Sequence, residues 1–119
     1  MPLHVLIVDR NKPVRDALTQ MVSQAGCEPV ALPDAAGALG ALTAIGFDAL
    51  VAGVSPGDDS VSGLVDAARR HQPDLRIIVG RAYALETDAA GLVDAYMDSP
   101  VTFHVLRVAL QHGLQRRRP

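Results

Sequence analysis

Short aliphatic runs recur along the chain at 4–8, 28–32, 49–52, 75–79 and 95–97, and a longer stretch with helical periodicity follows each of them. The first, His4-Val5-Leu6-Ile7-Val8, is continuous rather than alternating. A strand with one wet face alternates apolar and polar residues, so a continuous run suits a strand covered on both faces. Strands of that kind belong to parallel sheets, in which each right-handed crossover lays a helix on one side or the other. The alternation therefore points to an α/β fold, and 119 residues are enough for one such domain spanning 1–119.

The punctuation fits. Asn11 is placed to cap a first helix with Pro13 in its first turn, and Val14, Leu18, Met21, Val22 and Ala25 recur at helical spacing until Gly26. Pro33-Asp34 opens a second helix through Ala38, Leu39, Leu42 and Ile45, closed by Gly46. Gly37 and Gly40 inside it each cost about 1 kcal/mol relative to Ala, which predicts a soft helix. A polar loop from Gly53 to Ser62 leads into a third helix from about Val61 to Arg70, which Pro73-Asp74 ends. Tyr83 to Val93 is a weak helix, because its apolar residues are mostly Ala and its caps are poor. Val101 to Leu114 is a strongly apolar last helix.

Charge and motif content exclude several function classes. Eleven basic and 13 acidic residues are spread along the chain, so there is no basic field for nucleic acid. Arg116-Arg117-Arg118 reads as the solvated end of the last helix. No apolar run approaches the ~18 residues needed to span a bilayer, so a membrane partner is not expected. The single Cys27 cannot make an internal disulfide, and without a charged-then-apolar leader the chain reads as cytoplasmic. One lysine against ten arginines points to a GC-rich bacterial genome. No Gly-rich phosphate cradle follows a strand, and His4, His71, His104 and His112 show no metal spacing. No Ser or Cys sits in a nucleophile elbow. Neither an enzyme nor a cofactor or metal is expected.

The segment Val5-Leu6-Ile7-Val8-Asp9-Arg10-Asn11-Lys12-Pro13-Val14-Arg15 resembles the first strand and helix start of the receiver domains of response regulators in two-component systems. Phe47-Asp48-Ala49-Leu50-Val51-Ala52 resembles their lead-in to the third strand and Ile77-Ile78-Val79 their fourth. Tyr96-Met97-Asp98-Ser99-Pro100 is similar to the Tyr-x-x-Lys-Pro signature that closes their fifth. The resemblance runs from His4 to Leu114. It implies a flavodoxin-like doubly wound sheet of five parallel strands in the order 2-1-3-4-5, with helices on both faces and the site at the carboxyl ends of the strands.

The resemblance also implies where phosphorylation chemistry would sit, and position by position that chemistry is degenerate. Asp9 matches the first of two metal-binding acids, but Arg10 stands at the second and puts a fixed positive charge where a hard cation needs oxygen. The phosphoacceptor position falls on Gly53, which has no side chain to act as nucleophile. The hydroxyl position after strand four falls on Arg81 and the lysine position after strand five on Ser99. The reading is a pseudo-receiver signalling module, independent of phosphorylation. Asp58 and Asp59 read as a solvated turn rather than as displaced acceptors. The alternatives are a receiver phosphorylated on an unusual acid, or a small-anion sensor built on Arg10 and Arg81. A salt bridge from Arg10 or Arg81 to Asp9 is the expected arrangement of the degenerate pocket. Fewer residues than usual separate Arg81 from Ser99, so the fourth helix is expected to be short or irregular.

The expected partners are proteins: a histidine kinase, an output domain or a second copy. On the last helix Phe103, Leu106, Leu110 and Leu114 form one apolar stripe, while Val101, Val105, Val108 and Ala109 form a neighbouring one with no evident use in a monomer. Receiver domains resembling this chain commonly pair through the surface of the fourth helix, fifth strand and last helix, where Tyr96 sits. The expectation is an apolar homodimer contact centred on Val105 and Val108, with Ala109 and His112 at its margin. The Arg-Arg-Arg-Pro ending is where a linker to an output domain would begin.

Overall fold

The computed structural model describes residues 3–52, 55, 60–80, 93–98 and 101–117, and for 60 and 112–117 it describes the backbone only. The strands are β1 His4–Val8, β2 Glu28–Leu32, β3 Ala49–Ala52, β4 Arg76–Gly80 and β5 Ala95–Met97. The helices among these residues are α1 Lys12–Gln24, α2 Ala35–Ala44, α3 Ser60–His71 and α4 Phe103–Arg117. All strand pairs are parallel and the order is β2-β1-β3-β4-β5, as expected for a flavodoxin-like sheet. The weak helix expected from Tyr83 falls almost wholly on 81–92, outside the described residues.

Side-chain alternation along the sheet divides one core into two. Leu6, Val8, Leu50, Ala52, Ile77 and Val79 face α2 and α3. Val5, Ile7, Ala49, Val51, Ile78 and Met97 face α1 and α4. From Val5 to Val8, β1 is buried on both faces, which is why its run is continuous rather than alternating. Pro29, which has no N–H to donate, lies on the edge strand β2, where only one side is paired.

The expected caps form. The Asn11 side chain accepts from the Val14 N–H at 3.1 Å, and Gly26 adopts φ +84° just beyond the end of α1. The Asp34 side chain accepts from the Gly37 N–H at 2.8 Å. A Cβ at Gly37 would lie 3.2 Å from that same Asp34 oxygen, so the glycine makes room for the cap. Thr102 caps α4 through its Oγ1 to the Val105 N–H, so Val101 lies outside the helix that was expected to begin there. Ile45, expected on the buried face of α2, is instead its extended C-cap residue and is 53% exposed.

At the amino edge of the sheet two side chains act as clamps. Gln72 accepts from the Phe47 N–H and donates to the carbonyls of Leu42 and Ile45, joining the exit of α2 to that of α3. Arg69 donates to the carbonyls of Pro73 and Leu75 at 2.7 Å and to Asp94 at 3.0 Å, and Asp94 also accepts from the Ile77 N–H. The Arg69 and Asp94 side chains are only 15% and 8% exposed. Removing one partner of a buried pair strands the other charge, so Asp94→Ala is expected to lower unfolding free energy by about 3 kcal/mol. Asp94→Asn, which keeps an acceptor for Ile77, should cost less; urea denaturation at unchanged slope would measure both.

Candidate functional site

The sheet register sets Val8 beside Ala52 and Ala52 beside Val79, so the carboxyl ends of β1, β3 and β4 lie side by side. Asp9 follows β1 directly, and its N–H continues the ladder to the Leu32 carbonyl. Among the described residues no other polar or charged residue is buried as completely, for only 3% of Asp9 is exposed. A carboxylate taken that far from water needs donors.

The donors come from two directions. Oδ1 of Asp9 accepts from Ser55 Oγ at 2.7 Å and from the Asn11 N–H at 2.8 Å, while Oδ2 accepts from the Ser55 N–H at 3.1 Å. Arg15 Nη1 donates to the Asp9 backbone carbonyl at 2.8 Å. One carboxylate thus fastens the end of β1 to the turn that starts α1 and to a residue three positions beyond β3.

Of the two arginines expected on Asp9, Arg10 makes no salt bridge to it, and Arg81 lies outside the described residues. Arg10 is exposed and makes its interactions elsewhere, while both Asp9 oxygens are taken by the Asn11 N–H and by the N–H and hydroxyl of Ser55. The guanidinium that reaches Asp9 is that of Arg15, and it binds the carbonyl. Gly53, Asp58, Asp59, Arg81 and Ser99 lie outside the described residues. Ser55 was not singled out in the sequence; the signal was a small hydroxyl residue just after a strand whose neighbour ends in an acid.

The described residues at this edge do not fit the divalent cation that the resemblance implies. Such an ion takes six or more oxygen ligands. Here one carboxylate, already accepting three hydrogen bonds, is followed by an arginine, and the described residues contain no group of three His, Cys, Asp or Glu able to hold a metal. Cys27 is half-buried, and burial followed by the nearby Asp48 charge pushes its thiol up, away from the nucleophilic thiolate form.

A second feature lies on the flank of the sheet. Ala95, Tyr96, His104, Val105, Val108 and Ala109 line an open groove of about 340 Å³ between β5 and α4. Within the stripe expected to face outward, Val108 is 46% exposed, but Ala109 is buried and Val101 and Val105 pack against the core. Phe103, expected to face the core, is 37% exposed in the first turn of α4. The core-facing line of α4 is Leu106, Ala109 and Leu110, so Ala109 belongs to the inner stripe. The His112 side chain is outside the described set.

No family model and no curated protein matches the sequence. Solved structures match closely in fold. A sensor protein from Polaromonas sp. JS666 superposes with a TM-score of 0.86 at 22% identity over 98% of each chain. A CheY-like response regulator receiver domain protein from Methanospirillum hungatei JF-1 gives 0.84 at 18% identity over 98% of this chain and 97% of that one. A Burkholderia pseudomallei response regulator, solved with a phosphorylated aspartic acid, a calcium ion and citrate, gives 0.79 at 23% identity over 97% and 71%. The chain has the fold of response regulator receiver domains.

If the Asp9 carboxylate organises this edge, Asp9→Ala orphans three donors at once and should cost about 2–3 kcal/mol of stability. Urea unfolding of the variant with an unchanged midpoint would contradict that role.

Proposed function

We propose that this chain is a phosphorylation-independent pseudo-receiver, a cytoplasmic signalling module that docks onto protein partners and performs no phosphoryl transfer itself. The observation that carries the reading is the Asp9 carboxylate, whose oxygens are engaged by Ser55 and the Asn11 N–H rather than offered to a cation. Phosphoryl transfer runs on positioning and charge stabilisation, with the metal supplying much of the latter. With Gly53 at the acceptor position, Arg10 at the second acid, Arg81 at the hydroxyl and Ser99 at the lysine, the sequence supplies neither nucleophile nor metal ligands there. Incubation with acetyl phosphate and Mg²⁺ is expected to leave the mass of the intact protein unchanged. A stable addition of one phosphoryl group mapped to any aspartate would overturn the reading.

The partner side of the proposal rests on the β5–α4 groove. Its apolar lining around Tyr96, Val105 and Val108 suits a histidine kinase, an output domain or a second copy, with Ala109 at its base and Val101 packed against the core just before α4. A two-fold homodimer is the simplest occupant, since one patch then serves both sides. Val108 is the cleanest probe, being half exposed. Val108→Glu is expected to shift light scattering from dimer to monomer with little change in thermal stability. A wild type that stays monomeric at high concentration would remove the homodimer.

A further inference from the structure

We infer that Ser55 does by hydrogen bonding what a divalent cation would do by ligation at this edge, holding the segment after β3 against the end of β1, and that it thereby keeps cations off Asp9. The inference depends on the receiver-type reading of this edge, but not on whether the chain accepts a phosphoryl group.

Three observations carry it. The first is bidentate engagement: Ser55 meets one carboxylate with both its hydroxyl and its backbone N–H, one on each oxygen, at 2.7 and 3.1 Å. Two bonds from one residue fix the position and direction of the chain there, as a metal bridging two segments would. The second is sequence distance. Ser55 lies 46 residues from Asp9, so this is a tertiary contact between the ends of adjacent strands rather than a local turn. The third is saturation: Oδ1 also accepts from Asn11, so an ion approaching Asp9 must first displace hydrogen bonds made to a buried, charged acceptor. Such bonds are short and about twice as strong as neutral ones. A cation would find few compensating oxygens, since Arg10 stands next in the chain where a second carboxylate would help.

The alternative role for Ser55 is as a ligand, because a serine oxygen is itself a hard donor. The two roles predict opposite effects once the site is given a second acid. The probe is Mn²⁺ alone, titrated into the whole chain and followed by the loss of the free-ion electron paramagnetic resonance signal. Wild type is expected to bind none up to millimolar Mn²⁺, and Arg10→Asp only weakly. The double variant Arg10→Asp with Ser55→Ala is expected to bind at least about tenfold more tightly than Arg10→Asp, because the hydroxyl that competes for Oδ1 is gone and only the backbone N–H to Oδ2 is left. Arg10→Asp with Ser55→Thr, which keeps the hydroxyl, should match Arg10→Asp. Equal or weaker binding by the Ala double variant would overturn the inference. Should that variant be unfolded in chelator, restoration of its far-ultraviolet dichroism by Mn²⁺ supports the inference, because the ion then replaces the clasp; continued unfolding overturns it. Phosphorylation is read separately by mass, so failure of the proposed function and failure of this inference give different results.

Discussion

A carboxylate at the end of a fully buried central strand must be neutralised or satisfied, and the way Asp9 is satisfied sets how the carboxyl edge of this sheet is held. Burial of β1 on both faces comes from its aliphatic run and fixes where Asp9 emerges, between the ends of β2 and β3. A charged group at 3% exposure without donors would cost several kcal/mol. The chain meets that cost with the Asn11 N–H and with both donors of Ser55, and this choice links the start of α1 to the segment leaving β3. Arg15 adds a further tie through the carbonyl of the same residue. The local geometry is therefore defined by donors belonging to the chain.

The opposite edge is built on different chemistry. Arg69 gathers two carbonyls and the Asp94 carboxylate, and Gln72 gathers one N–H and two carbonyls, so that the loops entering β3, β4 and β5 are cross-braced by side chains. Each of these groups is a planar fork with several donors or acceptors, suited to collecting main-chain groups that parallel strands leave unpaired where they begin. A scaffold braced at its amino edge leaves the carboxyl edge as the place where sequence changes alter function with less damage to the fold. The positions at which the sequence departs from the receiver pattern it resembles, Arg10, Gly53, Arg81 and Ser99, all map by sequence to that edge.

Much of the fold was legible because its signals are local. Strands β1, β2, β3 and β5 begin and end where the aliphatic runs do, and Asn11, Asp34 and Gly26 act as the caps and stop that their side chains and φ preferences imply. The errors lie where tertiary geometry decides. Ile45 continues the helical period of α2, but the chain turns extended there and the side chain is left outside. Phe103 shares its stripe with Leu106 and Leu110, yet the first turn of α4 is covered less than the turns that follow. Charge complementarity, which is visible in sequence, points to Arg10 or Arg81 as the partner of Asp9. Ser55, a neutral residue 46 positions away, won the contact because its backbone and hydroxyl donors arrive together. Pairings of that kind depend on strand register, which no local motif encodes.

The burial of Ala109 changes what the flank of the sheet can offer a partner. With Ala109 turned inward and Val105 half-covered, the apolar contribution that the described side chains of α4 make to the groove narrows to Val108, flanked by His104 and beside Ala95 and Tyr96 of β5. A narrow strip of that kind cannot supply the roughly 800 Å² per partner of a standard stable interface on its own. A stable contact through this face must therefore extend beyond the part of α4 and β5 that lines the groove.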